Sequence, residues 1–504
     1  MSLKATLEES ARRLPDKACV KFEGRSITFG EMDRRANRFA HGLPEAAGLG
    51  PGDRVGLLAR NSPLFIEALY GALALGATVV PINVFLTPPE VAFILNDCGV
   101  KVLVVSGDFL PMVPALRESA PGLKHVVALD GQADGVITRD ELTADRSDQS
   151  PGVDVPDESD AIFLYTSGTT GKPKAAMLTH ANFLGNIASC RRAISLVPDD
   201  SFLLALPMFH SFSLTVNVLL PIAAGCTIVL LESVRPLDKL LRALVADGPT
   251  IFAGMPALYV AFCRADLPAD ALAQTRLRMC ISGSAPLAEA TLTAFESRFP
   301  VPLLEGYGLS EAAPVVSLNP LDGVRKVRSI GVPLPDVEVR VFDDGDRELP
   351  VGEPGELVVR GPNVMRGYYN RPDETAAALR SGWLHTGDVA RMDADGYLFI
   401  LDRKKDLIIS KGMNIYPREI EEALHHHPKV VEAAVIGMRD EAMDEVPVAY
   451  VRLVEGEEAR PGEFVQYLKS RLAAYKVPRQ FRFVADFPRT PTGKILKRQL
   501  GAVS

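Results

Sequence analysis

Residues 160–180 read D-A-I-F-L-Y-T-S-G-T-T-G-K-P-K-A-A-M-L-T-H, and the rest of the chain is organised around them. Ala161–Tyr165 is a short apolar run of strand type, and Lys174–Leu178 starts another. Between them stand the hydroxyls of Thr166, Ser167, Thr169 and Thr170, with Gly168, Gly171, Lys172 and Lys174. Glycines let backbone N–H groups converge into a concave nest, hydroxyls add donors, and lysines add positive charge. That combination suits a polyphosphate. It is not a Walker loop, which needs G-x-x-x-x-G-K-[ST] leading into a helix. Gly168 and Gly171 are too close together, and Pro173 stands where Ser or Thr belongs. A polar hairpin turn is the plain alternative; the density of donors between two strands favours an anion site.

Working outward, helix and strand signals alternate. Leu3–Leu14 is predicted as an amphipathic helix, with short strands at Cys19–Phe22 and Ser26–Phe29. Thr28 and Glu31 have capping-box spacing for a helix reaching about His41. After the strand-like Arg54–Ala59, Ser62-Pro63 supplies an N-cap and first-turn proline for Leu64–Leu75, which Gly76 ends. Thr78–Ile82, Lys101–Val105, Ser201–Leu206, Cys226–Leu231, Thr250–Phe252 and Met279–Ser282 continue the series of short apolar strands. Such strands separated by helices predict a mostly parallel sheet covered on both faces.

Beyond about residue 330 the character changes. Val337–Phe342, Glu356–Arg360, Val389–Met392 and Tyr397–Leu401 alternate with Asp/Gly turns, which predicts antiparallel pairing. Asp393–Gly396 lacks the spacing and terminal Glu of a calcium loop and reads as a hairpin turn. A small α+β unit begins near Asp402, with helices over Pro417–His425 and Gly462–Ala473 and strands at Val430–Ile436 and Val446–Leu453. The expected architecture is α/β: a large N-terminal body of several subdomains over residues 1–402, with mostly parallel helix-covered sheets and a β-rich part, followed by a small α+β domain over residues 403–504.

Composition narrows the function classes. A length of 504 residues and 47% hydrophobic content leave room for a large core in two or more packed bodies. The net charge of −8 gives no overall reason to expect nucleic acid or an anionic membrane as partner. Cys19, Cys98, Cys190, Cys226, Cys263 and Cys280 are scattered without a C-x-x-C pair, as buried free thiols would be. The N-terminus carries charge where a signal peptide would be apolar. Gly and Pro interrupt the two most apolar stretches, Ala68–Ile82 and Val216–Leu231, short of the ~20 apolar residues of a membrane helix. A soluble cytoplasmic protein is expected.

Several further motifs are ambiguous alone and informative together. Gly283-Ser284-Ala285-Pro286 is a strand-to-helix turn of small residues. Glu305-Gly306-Tyr307-Gly308-Leu309-Ser310-Glu311 sets a tyrosine between glycines with carboxylates nearby, and Trp383–Asp388 ends in an aspartate on a turn. Jointly they offer a phosphate nest, an aromatic face for a purine, a carboxylate for ribose and Glu311 for a divalent cation. TSGTTGKPK, ALPMFHS (Ala205–Ser211), EGYGLSE, GELVVRGPNVMRGYY (Gly355–Tyr369), WLHTGD, GYLFILDRKKDLIISKGMNIYPREIE (Gly396–Glu421) and PRTPTGK (Pro488–Lys494) follow in that order. The chain thereby resembles the acyl-adenylate-forming superfamily, in its acyl-CoA synthetase or fatty-acid–CoA ligase branch, over nearly its whole length.

The resemblance implies an enzyme using ATP, Mg²⁺ and coenzyme A, and a role for each matching residue. The loop Thr166, Ser167, Gly168, Thr169, Thr170, Gly171, Lys172 would cover the β- and γ-phosphates. Tyr307, between Gly306 and Gly308, would stack on adenine, with Gly283, Ser284, Ala285 and Pro286 on its other side and Glu305 and Ser310 nearby. Asp388 and Arg403 would hold the ribose hydroxyls, and Thr166 and Glu311 the metal. His210 would sit beside the acyl carboxylate, with Phe212, Met255 and Gly306 along the acyl group. Lys411 and Gly412 would line the pantetheine tunnel, Asp402 would be the hinge of a mobile small domain, and Lys494 its catalytic lysine. Ser310 replaces the Thr of many relatives and keeps the hydroxyl.

The acid is expected to be uncharged. Phe209–Leu220 and Ile251–Phe262 are apolar, including Leu214, Val218, Phe252, Leu258, Tyr259 and Phe262, although some of these are simply core. The Asp that holds an amino group in peptide-synthetase relatives is missing beside Phe209, and Glu305 beside Gly306 would repel a second carboxylate. A medium- to long-chain fatty acid is favoured; an aryl or aryl-propenoic acid, with a ring beside Tyr259, is the alternative. The chain ends ten residues after Lys494, so a free acceptor is expected: CoA, with a separate carrier protein as the other choice. Homodimerisation stays open.

Overall fold

In a computed structural model, which describes residues 1–167, 173–265, 275–410, 413–440, 444–489 and 495–502, the apolar runs of the sequence pair into four sheets. Arg54–Leu58, Thr78–Pro81, Val100–Val105 and His125–Ala128 run parallel at the heart of an eight-stranded sheet. Their Val and Leu side chains are buried on both faces, which is why the strands are continuously apolar and do not alternate. Helices Pro63–Ala74 and Pro88–Asp97 make the crossovers between them.

The opening stretch forms the antiparallel pair Asp160–Ser167 and Pro173–Thr179, with Thr166 opposite Lys174 and Ser167 opposite Pro173. One arm joins the parallel core at Val79–Ile162, and the other carries the two-residue edge strand Gly367–Tyr368. Both arms are therefore held by further sheet pairing.

A nine-stranded sheet holds Ser201–Leu204, Thr227–Leu230, Ile251–Gly254, Met279–Ser282 and Leu303–Gly308 in parallel, as the spacing predicts. The N-terminal hairpin Ala18–Phe22 and Arg25–Thr28 joins it alongside Thr227–Leu230. Thr28 accepts a hydrogen bond from Glu31 N–H, and the helix it caps runs Phe29–Ala47, past the expected end at His41. Leu43 and Ala47 continue its buried face, and Gly48 in the left-handed region at φ 58° ends it.

Glu338–Phe342, Gly355–Arg360, Leu384–Met392 and Leu398–Arg403 form the expected antiparallel sheet. Beyond it, Ile408–Ser410, Met413–Ile415, Val430–Asp440, Asp444–Leu453 and Gln480–Phe483 make a five-stranded sheet with its own core around Ile420, Leu424, Phe464 and Leu468. Helix Pro417–His425 falls where predicted; Pro461–Lys469 stops short of Ala473 because Arg471 and Leu472 N–H both turn back to Leu468 O. All six cysteines are free thiols. Among the described residues no helix is long and apolar enough to cross a membrane.

Candidate active site

Strand Leu303–Gly308 ends the parallel run of the large sheet and delivers Tyr307 to its rim. The glycines on either side are demanded by the neighbouring strand: a Cβ on Gly306 would lie 2.9 Å from Leu318 Cδ1, and one on Gly308 would lie 2.3 Å from Pro314 O. Tyr307, half-buried, donates its hydroxyl to Asp388 Oδ2 at 2.5 Å. Arg403 Nε stands 3.3 Å from Asp388 Oδ1, and the two residues face each other across paired strands. Burial, and then the Asp388 carboxylate, hold the Tyr307 hydroxyl well above its ordinary pKa, so it stays a donor. Three residues far apart in sequence thus form one rigid polar edge.

Gly283, Ser284, Ala285 and Pro286 follow strand Met279–Ser282, with Ser284 in the left-handed region at φ 68°. Glu305 underpins this turn: its Oε1 accepts from Leu287 N–H at 3.0 Å. Burial pushes the Glu305 carboxyl up to about 7, opposed by that N–H and by the Arg418 charge. Glu305 is therefore engaged beneath the turn, where one of its oxygens is taken by the backbone.

Glu311 sits on a single turn, Ser310–Ala312, and its Oε1 accepts the Tyr368 hydroxyl at 2.9 Å. Lys174 Nζ lies 3.8 Å from the Tyr368 ring centre and 3.0 Å from Glu374 Oε2. The second lysine of the opening stretch is thus paired within the protein, where the sequence grouped it with the phosphate-facing charges. Ser310 Oγ donates to Ser211 Oγ at 3.2 Å, which ties the Glu311 turn to the A-L-P-M-F-H-S segment. Gly168, Thr169, Thr170, Gly171, Lys172, Lys411, Gly412 and Lys494 lie outside the described residues.

In the A-L-P-M-F-H-S segment, Phe212 N–H donates to His210 Nδ1 at 3.3 Å, so the neutral ring carries its proton on Nε2. Burial pushes the His210 pKa down to about 4, which keeps the ring neutral at physiological pH. The chain then enters a buried π-helical turn, Ser213–Leu219, pinned by Thr215 Oγ1 donating to Ala313 O at 3.0 Å. A Cβ on Gly283 would lie 3.2 Å from the Phe212 ring, so Phe212 packs directly against the small-residue turn. Met255 is half-buried at the start of helix Pro256–Arg264. Phe252, Tyr259, Phe262 and Phe295 instead pack ring to ring in the core, and the Tyr259 hydroxyl donates to Ile281 O at 2.8 Å. Tyr259 is core and does not offer a ring wall to a substrate.

The AMP-binding enzyme model matches residues 7–369, and the AMP-binding enzyme C-terminal domain model matches residues 419–494. The chain belongs to the AMP-binding enzyme family. It is 36% identical to a long-chain-fatty-acid–CoA ligase of Bacillus subtilis (strain 168), over 99% of this chain and 94% of that one. It is 37% identical to a feruloyl-CoA synthase of Amycolatopsis sp, over 97% of this chain and 96% of that one. The crystal structure of the anthranilate CoA ligase AuaEII in complex with anthranoyl-AMP matches at a TM-score of 0.92 and 28% identity, covering 100% of this chain and 97% of that one.

Where this AMP-binding enzyme joins its small C-terminal unit, Asp402 is buried and doubly bonded. Its carboxylate accepts from Arg403 N–H at 2.8 Å and from Arg418 N–H at 2.9 Å, at the start of helix Pro417–His425. Burial raises the Asp402 pKa, with Lys497 opposing. Arg328 reaches Glu289 at 3.2 Å and Glu422 at 3.7 Å, a second bridge between body and small unit. Two recesses mark the surface. One of about 180 Å³ backs on Glu305, with Asn319 and Lys326 on its wall. Another of about 500 Å³ is lined by Arg34, Arg35, Arg38 and Arg139, three of which are already paired with Glu31, Asp148 and the buried Glu67. It shares no residue with the constellation above. Sequence reasoning passed over Tyr368 and Arg418; both stand inside quoted motifs, and only their long-range partners distinguish them from structural residues.

Proposed function

We propose that this enzyme is an ATP-dependent acyl-CoA synthetase acting on medium- to long-chain fatty acids. An AMP-forming acid–CoA ligase is what the family and the CoA ligases that align along nearly the entire chain imply, with ATP and CoA as co-substrates. The choice of acid rests on one observation: the side chains beside the neutral His210 are apolar, with Phe212 buried against the Gly283 turn and Met255 half-buried. An uncharged chain entering along Phe212 meets no unpaired charge from these residues, whereas a second carboxylate would be desolvated without a partner. The feruloyl-CoA synthase relative favours an aryl-propenoic acid as the second reading; the burial of Tyr259 removes the residue that supported it in the sequence.

The chemistry brings two anions together, so positioning and charge stabilisation matter more than a general base. The acid carboxylate attacks the α-phosphorus of ATP, and pyrophosphate leaves. Tyr307 and the Gly283–Pro286 turn hold adenine, Asp388 and Arg403 hold ribose, and the Thr166–Lys172 loop holds the leaving phosphates. His210 Nε2–H donates to the acyl oxygen. Lys494, from the small domain that begins after the hinge at Asp402, spans the carboxylate and the α-phosphate. The CoA thiol then attacks the acyl-AMP carbonyl past Lys411 and Gly412, losing its proton to solvent, and AMP leaves with the bonding pair.

Thr166 and Glu311 are the residues to hold Mg²⁺. Glu311 Oε2 has no partner among the described residues. One open carboxylate oxygen with a hydroxyl and substrate phosphates is a donor set that suits Mg²⁺. When bound, the metal neutralises charge on the departing pyrophosphate.

The test is pyrophosphate and AMP release over a series of straight-chain and aryl acids, with and without CoA. Turnover should peak with a medium- or long-chain acid and need CoA for a thioester product. Release that ignores CoA would move the assignment to a carrier-protein loading enzyme, and no acid-dependent release would remove the ligase reading.

A further inference from the structure

Tyr368 belongs to a two-residue edge strand that pairs with the outgoing arm of the opening hairpin, Tyr368 opposite Ala176 and Gly367 opposite Met177. Its backbone is fixed. Gly367 lies at φ 150° in the region that favours glycine, and a Cβ there would meet the Thr375 methyl at 2.6 Å. Tyr368 N–H donates to Thr375 Oγ1 at 2.9 Å. The side chain is 6% exposed, and each part of it has a different partner. The hydroxyl donates to Glu311 Oε1 at 2.9 Å, while the ring face carries Lys174 Nζ at 3.8 Å. Lys174 is held in turn by Glu374 Oε2 at 3.0 Å, on helix Pro372–Ala378.

Glu311 needs such a partner. It stands on one isolated turn, closed by Ala313 in the left-handed region at φ 60°, with no helix to restrict its carboxylate. The Tyr368 hydroxyl occupies one carboxylate oxygen and leaves Oε2 without a partner among the described residues. A carboxylate with one oxygen fixed and one open is oriented for a single further ligand. Across the same hairpin, Lys174 opposes Thr166. One ring thereby links the turn bearing Glu311 to the arm facing Thr166.

We propose that Tyr368 is a positioning residue for adenylation: its hydroxyl aims Glu311 at the cation and phosphates, and its ring holds Lys174 and the hairpin arm. The proposal rests on the reading of Glu311 as the cation-holding carboxylate.

The full-length protein can test it without turnover. Calorimetric ATP binding, with no acid present, is measured over a Mg²⁺ series for wild type, Tyr368→Phe, Glu311→Gln and the double variant. Phenylalanine keeps the ring under Lys174 and removes only the hydroxyl. The expected result is a rise of about tenfold in the Mg²⁺ concentration that supports half-maximal binding in Tyr368→Phe, the size of one hydrogen bond to a charged acceptor. Thermal stability can drop by the cost of one lost hydrogen bond without deciding the matter; in Mg²⁺ dependence the double variant should match Glu311→Gln alone, because the hydroxyl acts only through that carboxylate. A Tyr368→Phe protein with wild-type Mg²⁺ dependence beside a defective Glu311→Gln overturns the proposal, as does an additive double variant. Wild-type Mg²⁺ dependence in Glu311→Gln overturns instead the reading of Glu311 on which it rests. Should Tyr368→Phe prove less stable, the double-variant comparison still decides, since a packing defect would add to Glu311→Gln.

Discussion

The proposed nucleotide side and the proposed acyl side of this site touch where the Phe212 ring meets Gly283, yet they are built on opposite plans. The nucleotide side is a set of polar groups that satisfy one another across long stretches of chain: Tyr307 with Asp388, Asp388 with Arg403, Glu311 with Tyr368, Glu305 with Leu287. Each bond demands a particular donor or acceptor, because a buried polar group without its partner costs about 1–3 kcal/mol. The proposed acyl side, Phe212 beside a neutral His210 with half-buried Met255, belongs to the same apolar cluster as Phe252, Tyr259 and Phe262. Apolar side chains there need only fill volume, and swaps of similar size cost less than about 1.5 kcal/mol. On the proposed assignment, one side would fix the reaction and the other would leave the acid free to vary.

The largest effect that would break this division is expected from Lys494→Ala. ATP–pyrophosphate exchange should fall about 100- to 1,000-fold, the cost of one donor aimed at developing charge, while thioester formation from supplied acyl-AMP persists. Exchange at the wild-type rate would falsify the lysine's role.

Glu305 gives the next largest effect, on stability. Its carboxyl titrates at about 7 in the fold against an ordinary 4.5, so the folded state holds the proton more tightly. The stabilisation this gives is complete below pH 4.5 and is lost as pH rises through about 7, where the buried charge costs about 3 kcal/mol. Glu305→Gln keeps an acceptor for Leu287 N–H and carries no charge. Its melting temperature should gain on wild type steadily between those pH values; a constant difference would show that Glu305 is not buried as described.

Smaller effects should separate the two sides. Asp388→Asn should raise KM for ATP about tenfold through a weakened bond from Tyr307 and a lost charge beside Arg403, with KM for the acid unchanged. Gly283→Ala points a methyl at the Phe212 ring, 3.2 Å away, and should change KM for the acid about threefold, more than KM for ATP. Equal changes in both constants from either variant would mean that the two sides are not separable.

The same contrast explains what could be read from the sequence. Strand Met279–Ser282, helix Pro417–His425 and the hairpin arms around residues 168–172 were legible because short-range pattern and turn residues specify them. The nucleotide motifs were legible as residue types. Their partnerships were not: nothing local in the sequence pairs Lys174 with Glu374 and Tyr368, or Glu305 with Leu287 N–H. Tyr259 shows the limit on the acyl side, since an aromatic in an apolar segment reads the same whether it lines a pocket or, as here, donates to Ile281 O inside the core. The run of the Phe29–Ala47 helix past His41 was hidden similarly, because burial of Leu43 and Ala47 depends on helices packed from elsewhere.

The most direct test of the account is a competition in one vessel between dodecanoate and ferulate at equal concentration, with limiting enzyme, ATP and CoA, and the two CoA thioesters counted by mass spectrometry. Product ratios under such conditions report the ratio of kcat/KM values for the two acids. The account predicts an excess of dodecanoyl-CoA of about tenfold or more, from apolar chain burial along Phe212 and Met255 at ~0.8 kcal/mol per methylene. An excess of feruloyl-CoA would contradict it.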